Sequence, residues 1–339
     1  MIMKNLRRIN LVQFLLISAL FIAVSCNEED EGLMGNWSEF SDLDGVPRSD
    51  AVGFSIGGLG YIGLGYDGED RLTDFWVYNP TMNYWAQKAD FPGSARNGAV
   101  GFGIGSKGYV GTGYDGENKL NDFWEYDPSA NEWEQKSDFP GSARYGAVGF
   151  TIEDKGYIGT GYDDNYLKDF YAYTPATDTW EQIISIGGSK RRDATAFVLN
   201  GKGYVVSGVD NGTYENDFWE YDPSTGLWNE KREISNVDDD NDYDDEYTTI
   251  ARINGVGFTI GGKGYIAGGS TSTLIGNVWE YDPVNDLWEE KTSFEGANRT
   301  EAVGFGIGSI GYVITGRSSN YYLDDIWGLD PNAEYDEYD

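Results

Sequence analysis

Short segments in which large apolar residues alternate with small or polar ones recur along most of the chain. In each unit a segment of the form A-V-G-F-x-I alternates larger apolar residues with small ones, and a glycine-rich turn leads to a second segment, G-Y-I/V-G. A third segment, D-F-W-x-Y, ends at an Asp-Pro turn, and a fourth contains a tryptophan. Alternation with period two between Gly, Pro and Asp turns is typical of β-strands. The pattern therefore predicts four short antiparallel strands in each unit.

The unit occurs six times at a nearly constant spacing. Its Gly-Tyr pair recurs at intervals of 48, 48, 47, 61 and 47 residues, at Tyr61, Tyr109, Tyr157, Tyr204, Tyr265 and Tyr312. Seven residues before each of these tyrosines lies a phenylalanine: Phe54, Phe102, Phe150, Phe197, Phe258 and Phe305. An aromatic content of 15% also separates the chain from disordered sequences. A fixed period of this length indicates one repeat architecture rather than two ordinary domains.

The repeat resembles the kelch repeat, in which G-Y-x-x-G/S-G is followed by an aromatic-x-Tyr-Asp-Pro segment and a tryptophan. The double glycine of that family is intact at Gly268-Gly269, and in the other repeats one of the two glycines is replaced or displaced. The period is close to the family's roughly 50 residues. The resemblance implies an all-β fold, a six-bladed β-propeller of four-stranded antiparallel blades. We place it at residues 36–332, followed by an acidic tail at 333–339.

Closure of the ring is predicted from a tryptophan that the sixth repeat lacks. Five repeats carry it five residues after the Asp-Pro proline, but in the sixth that position is Asp336. Trp37 lies 11 residues before Arg48, the same distance that separates Trp133 from Arg144. The segment around Trp37 is therefore predicted to supply the outer strand of the last blade.

The first 25 residues are predicted to be a lipoprotein signal peptide. Lys4, Arg7 and Arg8 precede an apolar run too short and too interrupted for a spanning helix, and Ala-Val-Ser-Cys26 resembles a lipobox. Lipidation of Cys26 would anchor the protein to the outer membrane, with cell-surface exposure as a further possibility. The acidic residues of 26–35 would form a tether. The alternative is an ordinary signal with an incidental cysteine.

Charge and composition exclude several classes of function. The chain has 24 Lys and Arg against 57 Asp and Glu; signal cleavage removes three cations and leaves a net charge of −36. Nucleic acid and anionic surfaces are therefore poor partners. The absence of histidine excludes Ser-His-Asp triads and His-ligated metals, including the copper chemistry of the galactose oxidases that share the kelch fold. With one cysteine, no disulfide framework exists.

An arginine lies six residues before each repeat phenylalanine, where one blade connects to the next. A ring of guanidinium groups at the channel mouth would suit capture of carboxylates. The alternative is a structural pairing that locks blades together, since an Asp also recurs, with Asn277 in its place in repeat five. The six arginines are Arg48, Arg96, Arg144, Arg191, Arg252 and Arg299.

Loops after the second strand are predicted to lie on the same face. Tyrosine beside aspartate is the composition of a sugar or peptide site, and equally of an ordinary turn. The candidate residues are Tyr66, Tyr114, Tyr162, Asp67, Asp115 and Asp163.

An acidic insertion interrupts the period between Trp228 and Arg252, a span of 24 residues where other repeats have 11. Four of its acids could bind Ca²⁺, but the glycine that a sharp calcium loop needs is Tyr243, so a flexible acidic loop at 237–247 is the alternative. The four acids are Asp238, Asp240, Asp242 and Glu246.

These features predict a monomeric, extracytoplasmic binding module for a protein or a glycan, with no cofactor other than the Ca²⁺ just considered. No motif indicates catalysis. The alternative is a carbohydrate enzyme similar to the bacterial sialic-acid mutarotases, which are propellers of this kind; Asp or Glu would then supply the acid and base. A structural or adhesion element without a small ligand is a third possibility.

Overall fold

The predicted alternation forms strands throughout the part of the chain that the structure, a computed structural model, describes: residues 33–236 and 242–336. The only helix in these residues is a single 3-10 turn, Pro175–Thr177. The strands in chain order are β1 Met34–Glu39, β2 Val52–Ile56, β3 Leu59–Gly63, β4 Phe75–Asn79, β5 Tyr84–Gln87, β6 Val100–Ile104, β7 Lys107–Gly111, β8 Phe123–Asp127, β9 Glu132–Lys136, β10 Val148–Ile152, β11 Lys155–Gly159, β12 Phe170–Thr174, β13 Thr179–Ile183 and β14 Thr195–Leu199. They continue as β15 Lys202–Val206, β16 Val209–Asp210, β17 Thr213–Tyr214, β18 Phe218–Asp222, β19 Leu227–Glu230, β20 Val256–Ile260, β21 Lys263–Ala267, β22 Val278–Asp282, β23 Leu287–Lys291, β24 Val303–Ile307, β25 Ile310–Ile314, β26 Arg317–Ser318, β27 Tyr321–Tyr322 and β28 Ile326–Glu334.

These strands form six four-stranded antiparallel sheets, the blades of a propeller. Blades 1 to 5 have the strand orders β2-β3-β4-β5, β6-β7-β8-β9, β10-β11-β12-β13, β14-β15-β18-β19 and β20-β21-β22-β23. Two small hairpins, β16-β17 and β26-β27, project from the loops after the second strands of blades 4 and 6. Each innermost strand contacts the innermost strands of both neighbouring blades, so the ring is closed. The predicted fold class is confirmed.

Blade 6 combines the two ends of the described chain. Its order is β24-β25-β28-β1, and Trp37 on β1 stands opposite Leu329 on β28. The Trp37 side chain is fully buried, packs edge-on against Phe294 at 4.8 Å between ring centroids, and donates from Nε1 to the Thr292 carbonyl oxygen at 3.3 Å. The predicted closure by the N-terminal strand is therefore confirmed.

The repeated Phe and Gly account for how the blades fit together. The phenylalanine of one blade points at the glycine that precedes the repeat tyrosine of the next, and a Cβ added to that glycine would lie within 2.6 Å of the ring; Gly108 against Phe54 and Gly156 against Phe102 are examples. Only a residue without a side chain permits this approach, because protein interiors are already close-packed. The recurring Gly-Tyr pair is thus a requirement of blade packing.

Several predicted features lie outside the described residues. They are the signal peptide, Cys26, the tether as far as residue 32, part of the acidic insertion (237–241) and the end of the tail (337–339). The described part of the insertion packs on blade 5, where Tyr247 and Ile250 are buried and Tyr247 lies 5.7 Å from Trp279. In the described ranges, no helix has the length and hydropathy needed to cross a membrane.

Candidate functional site

The six arginines that enter the blades are fully buried. In five of them both terminal nitrogens bond both oxygens of an aspartate, over 2.5–2.9 Å. The five pairs are Arg48–Asp74, Arg96–Asp122, Arg144–Asp169, Arg191–Asp217 and Arg299–Asp325. Burial acts to raise the pKa of Asp122, but the hydrogen bonds and charge of Arg96 outweigh it and hold that pKa below its usual value.

Each arginine joins two blades. The Arg144 backbone bonds to blade 2, because its N–H donates to Leu120 and its carbonyl accepts from Gly113, while its side chain bonds to Asp169 and the Thr160 carbonyl in blade 3. The guanidinium groups therefore form their hydrogen bonds with other residues of the protein. This geometry is that of the structural alternative, a pairing that connects neighbouring blades.

Blade 5 departs from this arrangement. Arg252 has no aspartate partner, since Asn277 occupies the position, and it bonds instead to the carbonyl oxygens of Gly268 (2.7 Å), Asn277 (3.0 Å) and Thr249. Burial without a paired carboxylate lowers the pKa of Arg252 to about 9, against the opposing charge of Glu290. Arg252 is thus the one member of the set that carries an uncompensated buried charge in the described residues.

A second ring lies two residues after each arginine, at the mouth of the channel. All six residues adopt left-handed backbone conformations, with φ between 51° and 63°. Backbone N–H groups in five of them donate to the carbonyl oxygen of the equivalent residue in the preceding blade, over 2.8–3.1 Å. This mouth ring surrounds a cavity of about 120 Å³ and consists of Asp50, Gly98, Gly146, Asp193, Asn254 and Glu301.

Three carboxylates of the mouth ring meet at this cavity. Burial and the nearby charge of Glu301 raise the pKa of Asp50 to about 7, and burial raises the pKa of Asp193 to about 6 although Arg192 opposes it. Asp193 lies over Gly146, where an added Cβ would be 2.3 Å from its Oδ1. Two groups that titrate near neutrality at the end of a channel are candidates for binding or proton transfer.

A cation and two tyrosine rings lie beside the mouth ring at blades 3 and 4. The Arg192 guanidinium lies 5.5 Å from the Tyr145 ring and 5.3 Å from the Tyr162 ring, donates to the Tyr145 hydroxyl at 2.9 Å, and approaches Asp193 at 3.4 Å. Tyr145 and Tyr162 are themselves 5.7 Å apart. All of these side chains are half-buried, so their faces border solvent.

A similar arrangement occupies blades 1 and 2. Arg71 lies between the rings of Tyr66 and Tyr114, at 5.3 and 4.9 Å, and its Nε donates to Asn97 Oδ1 at 2.7 Å. Asn97 in turn donates to Asp50 Oδ2 at 2.7 Å. The rim is therefore connected to a recessed carboxylate by a chain of hydrogen bonds.

The predicted Tyr-Asp loops lie on this face, and the carboxylates of their aspartates accept hydrogen bonds from backbone N–H groups of the same loop. One oxygen of Asp67 accepts from the N–H groups of Glu69 and Asp70 at 2.8 and 2.7 Å, and Asp115 acts in the same way. Asp163 accepts from one backbone N–H, that of Asn165, at 2.9 Å. These are Asx turns. The rings of Tyr66, Tyr114 and Tyr162 border the cations described above, whereas the hydroxyls of the first two bond within their own loops, to Gly68 and Gly116.

The calcium hypothesis stays a prediction. Asp238 and Asp240 lie outside the described residues, and Asp242 and Glu246 lie within them. In the described residues no group of three or more Asp, Glu, His or Cys is placed to hold a metal ion.

The sequence interpretation missed the acids Asp50, Asp193 and Glu301 and the cations Arg71 and Arg192. A signal was present. The second residue after each repeat arginine is acidic in three repeats, Gly in two and Asn in one, so this position varies where its neighbours repeat.

The comparisons with known proteins agree with this architecture. A model described as the KLHDC2/KLHL20/DRC7 Kelch-repeats domain matches residues 61–191 and, in an overlapping second match, 109–241, which together span more than half of the chain. No curated protein matches the sequence. Among solved structures, the one titled "Structure of YjhT" aligns with 84% of this chain and 95% of that chain, at a TM-score of 0.70 and 17% sequence identity, and thus shares the fold. The chain belongs to the kelch-repeat family.

Proposed function

We propose that this propeller binds a carbohydrate that carries an acidic group, at the channel mouth. The observation that supports the proposal is the placement of Arg192 against the rings of Tyr145 and Tyr162, beside the recessed Asp193. Tyrosine faces suit the apolar face of a sugar ring, and guanidinium groups suit a carboxylate.

The size of the cavity is consistent with this mode of binding. The cavity inside the mouth ring, about 120 Å³, has room for a polar substituent rather than for a whole sugar. The sugar ring would lie above it, on the tyrosines, while a hydroxyl points inward to Asp50 or Asp193. The cations of the rim would also offset the overall charge of −33, which otherwise opposes an acidic ligand.

A glycan array followed by calorimetry tests the proposal. We expect glycans that carry sialic or uronic acid to bind in preference to their neutral counterparts, and Arg192→Ala to weaken binding by about 1.5–3 kcal/mol, the range for hydrogen bonds to charged groups. Lys136→Ala, the same loss of charge on the outer strand of blade 2, is the matched control. Equal binding of acidic and neutral glycans, or binding that Arg192→Ala leaves unchanged, would contradict the proposal.

The second candidate is acid–base conversion of a sugar acid, as in the bacterial sialic-acid mutarotases, which are propellers of this kind. The pKa values of Asp50 and Asp193, about 7 and about 6, favour it, because a general acid or base acts best when its pKa is near the working pH. Exchange between the anomers of N-acetylneuraminic acid, followed by NMR, separates the two functions. Acceleration that Asp50→Asn abolishes indicates an enzyme; binding without acceleration indicates a binding module.

We also propose that Cys26 carries a lipid anchor that holds the propeller at the outer membrane as a monomer. The support is the lipobox-like Ala-Val-Ser-Cys26 and the acidic residues that follow it. Cys26→Ala should release the protein from the membrane fraction. Retention of the variant there would refute the anchor.

A further inference from the structure

A cleft of about 450 Å³ lies between blades 3 and 4, at the face opposite the channel mouth. It opens beside the β10–β11 and β18–β19 turns, which lie at the other ends of the strands from the arginine connections. Two tyrosines line it, Tyr157 from blade 3 and Tyr221 from blade 4, with ring centroids 5.5 Å apart. Each is only 4% exposed.

The Tyr157 hydroxyl lacks a partner that three of its five counterparts have. In blades 2, 4 and 5 the equivalent hydroxyl bonds to a glutamate on the neighbouring strand, at 2.6–2.7 Å, as Tyr109 does to Glu125. In blade 3 the residue opposite Tyr157 is Ala172. The space that a glutamate side chain fills elsewhere therefore belongs to the cleft.

The Tyr221 hydroxyl lacks its partner for a different reason. In four blades the equivalent hydroxyl bonds to an Asn or Asp five residues later, at 2.7–2.8 Å, as Tyr173 does to Asp178. Five residues after Tyr221 stands Gly226. A Cβ placed on Gly226 would meet nothing within 4 Å, so a side chain is missing where there is room for one.

The two departures coincide at one place. Neither hydroxyl has a hydrogen-bond partner among the described residues, although both belong to nearly buried side chains that line the cleft. At each of the other blade interfaces of the described chain, at least one of the two acceptors is present. Both hydroxyls border the cleft and each lacks the acceptor that occurs in other blades, so the cleft presents two hydrogen-bonding groups to a ligand.

The charges around the cleft favour a cation. Glu153, Asp154 and Glu181 line it together with a single cation, Lys155. Burial, assisted by Tyr221 and these three carboxylates, raises the pKa of Tyr157 to about 12, which places their negative charges near the hydroxyl. The other walls are apolar, from Ile152 and Ile183.

We propose that this cleft binds a small organic cation, an ammonium or guanidinium group on an apolar stem. The cation would donate to the carboxylates and to the two tyrosine hydroxyls, and its stem would lie against the isoleucines. The volume is within the range of small-molecule sites. The site is separate from the channel mouth and does not depend on the function proposed there.

Calorimetry with agmatine tests the proposal on the mature chain. We expect agmatine to bind and 1,4-butanediol, which has the stem without the cations, not to bind. The double variant Ala172→Gln/Gly226→Asn supplies both missing acceptors without changing the charge and should weaken agmatine binding about tenfold or more, equal to about 1.4 kcal/mol. Gly226 has φ +70°, a conformation that Asn adopts at the equivalent residues 83 and 131, so the double variant should melt no lower than the parent.

Controls separate this site from the channel mouth. Arg192→Ala should leave agmatine binding unchanged, and the double variant should leave glycan binding unchanged. Competition by the peptide Gly-Arg-Gly would identify the source of the cation as a peptide side chain, and lack of competition would identify it as a free amine. Equal binding of agmatine and butanediol, no agmatine binding, or binding that the folded double variant retains in full would overturn the proposal.

Discussion

Two rings of residues surround the channel mouth, separated by only two positions in sequence, and they differ in how strictly they repeat. The arginines are present in all six repeats, are fully buried, and in five cases are paired with aspartate. The mouth ring repeats its backbone conformation but not its side chains, which are acidic in three blades. A requirement that every blade shares is structural, whereas a ligand is not six-fold symmetric. Departures from the repeat are therefore where function is to be sought.

The largest change in stability that we expect comes from disrupting closure of the propeller. Both the repeated arginines and the mouth ring depend on that closure. Trp37→Ala should lower the free energy of unfolding by about 3–5 kcal/mol, because it removes a fully buried aromatic side chain from the β1–β28 pair. Denaturant unfolding measures it, with Met34→Ala on the same strand, where the side chain is 41% exposed, as the control. Equal effects of the two substitutions would mean that β1 does not close the ring.

Removal of a repeated arginine should be almost as costly. Arg144→Ala leaves Asp169 with its main partner gone at a blade junction and should cost about 3–5 kcal/mol. Asp193→Asn, in the mouth ring, should change stability by less than about 1 kcal/mol. If Arg144→Ala instead left stability intact and abolished ligand binding, the arginine would belong to the binding site after all.

The exception in blade 5 allows the pairing to be restored. Asn277→Asp should give Arg252 the carboxylate that the other arginines have, and stabilise the protein by about 1 kcal/mol. Because Asn277 donates to Glu290 in the parent, we combine the change with Glu290→Gln to avoid two adjacent carboxylates. Thermal unfolding of the double variant and of Glu290→Gln alone isolates the contribution of the pair. A lower melting temperature for the double variant would contradict the pairing model.

The smallest effect is a slope in the pH dependence of stability. Asp50 and Asp193 have folded pKa values of about 7 and about 6, above an unfolded value of about 3.9. Between those values the folded state holds more protons, so its stability falls as the pH rises from about 4 to about 7. Because the carboxylates are partly solvated, we expect a change on the order of 1 kcal/mol.

The double variant Asp50→Asn/Asp193→Asn should flatten this slope in chemical unfolding measured from pH 4 to 8. Asp74, Asp122 and Asp325 act in the opposite direction, since their folded pKa values are lowered and their stabilisation is lost only as the pH falls below about 3.9. A slope that persists unchanged in the double variant would place its origin elsewhere.

The fold could be predicted from the sequence because the residues that pack the blades together recur at the same positions in each repeat. The Phe that enters a neighbour's Gly position and the Trp missing from repeat six are both visible as columns in the alignment of repeats. The candidate site was harder to predict from the sequence than the fold. The six repeated arginines could be located in the sequence, but their role could not be decided. An arginine that pairs inside the protein and an arginine that faces a ligand would occupy the same position of the repeat.

The residues of the proposed site could not be recognised in the sequence for a related reason. The left-handed backbone that brings Asp50 and Asp193 to the channel is set by bonds between blades and has no local sequence mark. The cleft between blades 3 and 4 likewise depends on Ala172 and Gly226, two small residues whose significance is clear only when the tyrosines they fail to partner are seen side by side. Both could have been found by reading the repeats for differences instead of similarities.

A crystal structure of the protein with an acidic glycan selected from the array would test most directly the claim that function resides where the repeats diverge. We predict that the carboxylate of the sugar contacts Arg192, that the sugar ring lies on Tyr162, and that all five Arg–Asp pairs stay intact. A glycan bound to one of the repeated arginines, or bound away from the mouth ring, would contradict the account.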